Sequence, residues 1–260
     1  MRVTPDDLQS ADVQDHAIDV RAVELGLPTT RAVAAGLAVA GGVILALGLV
    51  AAAIQLSGAT FPGHEGVTVL LSLSSEFNIP TIIAVLWLAS CSAMLMLIAT
   101  LQRVNRQPFV GHWRGLSVIF AYLALDEGAR IHERLNEPLA GLAVTTGFLR
   151  WGWVLVGGLA VLLLVPVYAR FVLALPARAR AGTVLAGTLY VGGALVMESI
   201  GAFVSGRQGL DAPLYIGLTL VEETMEFAGV GLFIVVLWWL LRRWAPVLVL
   251  HHPRAATTGR

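Results

Sequence analysis

Acidic side chains stand in this sequence where apolar ones would be expected. Glu76 precedes one apolar run, Asp126-Glu127 and His132-Glu133 interrupt a second, Glu198 lies in a third, and Glu222, Glu223 and Glu226 lie in a fourth. An ionisable group inside a membrane span costs at least about 2.5 kcal/mol on insertion scales, so a set of them calls for partners, water or bound cations. Carboxylates with sparse imidazole suit Mn, Fe, Mg or Ca, whereas Zn normally takes more nitrogen or sulfur. Glu76, Asp126, Glu127, His132, Glu133, Glu198, Glu222, Glu223 and Glu226 are therefore candidate ligands of a divalent metal ion. The carboxylates face only Arg130, Arg134, Arg207 and at most one histidine charge. Without added cations they cannot all stay ionised.

The elements that must position these residues are membrane helices. Hydrophobic residues make up 57% of the chain and charged ones 13%, and the mean hydropathy is +0.79, a balance that suits solvation by lipid. A hydrocarbon core about 30 Å thick takes roughly 20 apolar residues at 1.5 Å each. Windows of that kind fall at 31–57, 80–101, 114–136, 150–174, 181–204 and 216–241. The expected fold is thus all-α, a polytopic bundle of about six transmembrane helices over 31–244. A polar tail with some helical character precedes it at 1–30, and a second tail follows at 245–260. Every basic residue is an arginine. Arg2, Arg21 and Arg31, Arg103, Arg106 and Arg114, Arg170, Arg178 and Arg180, and Arg242, Arg243, Arg254 and Arg260 fall on one side of such a bundle. Arg150 and Arg207 are the loop arginines of the other side, so the positive-inside rule places both termini in the cytoplasm. The bilayer is then the first partner. Zero net charge gives no support for nucleic acid, and the single Cys91 rules out a disulfide framework or a cysteine zinc site.

Depth and spacing refine this picture. A third helix entering near Arg114 carries Asp126 about 18 Å and Glu133 about 28 Å from the cytoplasmic side. Glu198 falls late in an outward-running helix and Glu222 to Glu226 early in an inward-running one, so the carboxylates are expected to share the outer half. At about 100° per residue, Asp126, Arg130 and Glu133 share one helix face, with Glu127 and His132 turned elsewhere. Glu222 and Glu226 form an i, i+4 pair bordered by Glu223. A plainer arrangement has an Asp126–Arg130–Glu133 salt-bridge network, with Glu222 and Glu223 capping the sixth helix. Asn78 should cap the second helix, with Pro80 in its first turn. Glu137-Pro138 should end the third. His64, His112, His251 and His252 are expected to be solvated, and Trp151, Trp153, Trp238, Trp239 and Trp244 to sit at membrane interfaces. No His-Glu-x-x-His, Gly-x-Ser-x-Gly or phosphate-binding glycine loop with Lys occurs, so the zincin, α/β-hydrolase and nucleotide-driven classes have no support.

The run Asp126-Glu127 then His132-Glu133, with Glu76-x-Asn78-Ile79-Pro80, Gly193-Ala194 before Glu198, and Glu222-Glu223-x-x-Glu226 followed by Gly229, resembles a widespread, uncharacterised family of bacterial multi-pass membrane proteins. The resemblance covers about residues 70–240 and implies a bacterial cytoplasmic membrane, with no established activity. From the residues themselves we expect a metal-dependent membrane protein with an outer-facing site, acting on a lipid or other small membrane-proximal substrate. Metal-assisted hydrolysis would use Glu127 or Glu223 as general base. A cation or proton-coupled transporter is the alternative, and a structural protein with a buried acidic network is a third.

Overall fold

The computed structural model describes residues 20–75, 77–141, 146–245 and 247–253. Residues Pro28–Trp244 form one compact, all-helical unit. In a second unit, β1 (Val20–Gly26) pairs antiparallel with β2 (Val247–Pro253), Val20 opposite Pro253 and Gly26 opposite Val247. The end of the N-terminal tail is thus strand rather than helix, and His251 and His252 lie within β2.

Five helices of the larger unit are long and apolar enough to cross a membrane. They are α1 (Thr30–Ser57), α3 (Ile79–Val104), α7 (Trp153–Ala174), the continuous helix Ala177–Gln208 and α10 (Pro213–Trp244). The predicted third span is α4 (Val110–Ala129), whose 20 residues include Arg114, Asp126 and Glu127 and which is not among those five. Short helices complete the unit: α2 (His64–Leu71) between the first two predicted spans, then α5 (Ile131–Arg134) and α6 (Asn136–Leu139) after α4.

Helix starts follow capping rules. Thr29 accepts the Ala32 amide at 3.1 Å and opens α1. Asn78 caps α3 as expected, accepting the Thr81 amide at 3.1 Å, with Pro80 in the first turn. Its amide nitrogen also donates to the carbonyls of Val69, Ser72 and Ser75, which ties the end of α2 to the start of α3. Glu137 and Pro138 do not end the third helix; both lie in the first turn of α6, where proline's missing N–H costs nothing.

The hydrophobic core is centred on α10. Over half of its best 18-residue window is buried (56%), against 11–28% for the other spans. Leu237 and Leu240 of α10 pack with Leu88, Cys91 and Leu95 of α3 and with Phe171 of α7. Lipid tails are as apolar as these side chains, so cohesion rests on close packing and on hydrogen bonds between helices. Ser92 and Ser117 supply the latter for α3 and α4, each hydroxyl donating to the other's carbonyl at 2.8 and 2.9 Å. Gly229 supplies the former. A Cβ there would stand 2.7 Å from the Tyr190 nitrogen and 2.8 Å from the Ala186 carbonyl oxygen, whereas one at Gly217 on the same helix would meet nothing. Gly229→Ala is expected to lower thermal stability by about 1–3 kcal/mol through overpacking. Gly217→Ala should change it by less than about 0.5 kcal/mol. Unfolding of both variants in detergent checks the pair.

Candidate functional site

The acidic segments reach one place by two departures from regular helix. The first ends α4. Arg130 takes a left-handed backbone conformation (φ 55°, ψ 44°), so the chain turns back and α5 does not continue the helix. The His132 amide then donates to Asp126 Oδ1 at 2.7 Å, and its ring Nδ1 lies 2.9 Å from Oδ2. A carboxylate accepting at both positions holds the ring with its proton on Nδ1 and leaves Nε2 as the remaining nitrogen. The expected Asp126–Arg130–Glu133 face is therefore corrected: Asp126 binds His132, and Arg130 pairs with Glu133 alone of those two acids.

The second departure lies before Glu198. The helix that starts as α8 (Ala177–Val191) widens into a π-helical segment at Gly192–Met197 and resumes as α9 (Glu198–Gln208). Such segments are rare and concentrate at functional sites. Gly193 brings this one onto α10: a Cβ there would lie 2.8 Å from Glu226 Cγ and 2.9 Å from the Glu222 carbonyl oxygen. Glu198 consequently accepts the Trp153 indole N–H at 3.1 Å.

Asp126, Glu127, His132, Glu133, Glu198, Glu222, Glu223 and Glu226 all line one cavity of about 1090 Å³. Glu76 lies outside the described residues. Glu222 is buried, and Glu223 and Glu226 are half-buried because they open onto the cavity. Among the described residues the hydrogen bonds of the acidic site fall on Asp126, His132, Glu133, Asn136, Trp153 and Glu198, and none reaches Glu127, Glu223 or Glu226. Also among the described residues, no group of three or more His, Cys, Asp and Glu side chains is gathered tightly enough to hold a metal ion. Glu222 and Glu223 are not helix caps, since α10 begins at Pro213 and the helix dipole acts only within the first turn.

Sequence reasoning missed Trp153. It reads as an interface residue, yet its amide bonds Asn136 Oδ1 at 3.1 Å, its indole bonds Glu198, and its ring lies 4.7 Å from that of His132. No local signal marks it. His112 was also misread: it lies in the first turn of α4, stacked on Phe171 at 5.6 Å.

Residues 36–241 match the model of a domain of unknown function, DUF8692, and the chain belongs to that family. No curated protein matches the chain. No solved structure matches it either.

Asp126→Ala removes both acceptors of His132. A loss of about 1–3 kcal/mol in stability is expected, with faster amide exchange at His132. Hydrogen exchange followed by mass spectrometry checks this, and an unchanged amide at 132 would show that the turn stands without Asp126.

Proposed function

We propose that the protein is an integral membrane protein whose acidic cavity binds a divalent cation and acts on an amphipathic substrate drawn from the bilayer. The observation that carries this reading is the set Glu127, Glu223 and Glu226, acids without a protein hydrogen-bond partner among the described residues, facing a cavity inside a lipid-solvated bundle. Unpartnered carboxylates in low dielectric call for neutralisation, which a bound cation supplies. The Asp126–His132 pair supports it too, because ligating histidines commonly donate their other ring nitrogen to a carboxylate. In this reading Asp126 orients His132 instead of touching the ion, a change from the ligand set expected of the sequence.

The donors within reach of the cavity are His132, Glu127, Glu198, Glu223 and Glu226, which would converge by side-chain rotation on binding. When bound, a divalent ion supplies a Lewis acid and an activated water, the requirement for hydrolysis of an ester or amide bond. Glu127 or Glu223 would accept the proton at a carboxylate oxygen, and the apolar walls would keep bulk water out. The site is then one-sided. With α4 counted as a sixth span, the positive-inside rule would put both termini in the cytoplasm and the acidic end of the cavity toward the outer face. Reporter fusions at Val110, Ala143, Pro176 and Leu210 should alternate sides, and a cytoplasmic Ala143 would overturn the outer placement.

Elemental analysis of the purified protein beside a folded Glu127→Gln, Glu223→Gln variant tests the cation. Near-stoichiometric metal in the parent and at least about a tenfold loss of affinity in the variant are expected, in line with the weight of ligand-shell residues. Absence of metal after incubation with Mn, Fe, Zn, Mg and Ca would favour the second reading, a proton-coupled transporter in which the same carboxylates exchange protons.

A further inference from the structure

The cavity that holds the carboxylates runs well beyond them and becomes apolar. Along α7 its wall is the stripe Gly157, Val161, Leu164, Tyr168 and Val172, spaced by three or four residues as one helix face requires. Leu116, Ile119, Phe120 and Leu123 of α4 line the same space. At 1.5 Å per residue the α7 stripe is about 22 Å long, more than the roughly 15 Å of hydrocarbon in one leaflet.

Helix α7 touches α5 at the acidic end of this shaft and α4 at the other. At the acidic end, Trp153 lies against His132. At the other, Tyr168 reaches Gly115, and Phe171 packs on His112 and on Trp113 at 4.7 Å. Between these ends the shaft opens sideways: Val118, Tyr122 and Val156 line the cavity and yet are 64%, 49% and 45% exposed. In a bilayer, the medium at such an opening is hydrocarbon. The shaft walls offer a polar occupant little to bond, while the polar groups converge at one end.

We propose that the shaft holds one acyl chain of a zwitterionic phospholipid, entered sideways between α4 and α7, with its cationic head-group amine at the carboxylates. Charge complementarity fixes the polarity of insertion, and the indoles of Trp151 and Trp153 offer rings for a quaternary ammonium. The proposal rests on the cavity being the functional site, as argued above, but not on a bound metal.

Photolabelling tests it. The full-length protein is reconstituted in phosphatidylcholine vesicles that contain a phosphatidylcholine with a diazirine on one acyl chain, irradiated, and mapped by peptide mass spectrometry. Adducts are expected on the inner residues Val161, Leu164 and Phe120, besides those on the outward-facing Leu159 and Leu162, which are 57% and 72% exposed. Leu164→Trp, with Val161→Phe as a second plug, should lose the inner adducts and keep the outer ones, which report that the helix is still folded in the bilayer. Adducts confined to the outer face in the parent, or inner adducts unchanged in both plugged variants, overturn the proposal. Repeating the labelling after chelation separates the two readings. Inner adducts that survive in protein free of metal uphold the shaft even if the metal reading fails, and their loss on chelation overturns a shaft that fills by itself.

Discussion

The approach of the π-helical segment to α10 at Gly193 is the constraint on which the rest depends. Two helices meet there with no room for a Cβ, and the backbone of one lies against the carbonyl of Glu222. That contact holds Glu198 to the same cavity as Glu222 and Glu226, and the Glu198–Trp153 hydrogen bond carries the position onward to α7. Gly229 repeats the arrangement farther along α10 against Ala186 and Tyr190. In a lipid-solvated bundle, where burial of apolar area between helices gains little, such close contacts carry much of the specificity of packing. The acidic cavity lies beside both, with Gly229 in its wall.

Much of this was legible in the sequence, because hydropathy reports the solvent directly. Four of the windows coincide with membrane-length helices to within a few residues at each end, and the continuous helix Ala177–Gln208 overruns its window 181–204 at both. The convergence of Asp126, Glu127, Glu198 and the α10 acids on one place was also readable, since each apolar run was interrupted at a comparable distance from its end. Asn78 announced itself as a cap by its place before Ile79-Pro80.

The local geometry of the site was not readable, for a physical reason. Neither departure from the α-helix is announced by the residues that make it. Arginine is a good helix former, so nothing at Arg130 signals a left-handed turn, and an unbroken helix through residue 136 sends His132 away from Asp126. The π-segment includes two glycines, yet glycine in a membrane helix more often marks close packing than a change of hydrogen-bond register. Tertiary contacts decide both positions: the two bonds from His132 to Asp126 hold the turn, and the fit of Gly193 on α10 holds the widening.

The widened turn also has a consequence for how the chain tolerates change in length. A π-segment accommodates one more residue than the α-helix it interrupts. Removing a single residue between Gly192 and Met197 would let the helix close into regular register with the stretch after it turned little relative to α8, because the wide turn had absorbed the extra residue. Glu198 would then stay near Trp153, whereas a deletion in the regular turns of α8 would turn it away by about 100°. The widened turn can thus lose one residue at little cost to the cavity, whereas the regular turns on either side of it cannot.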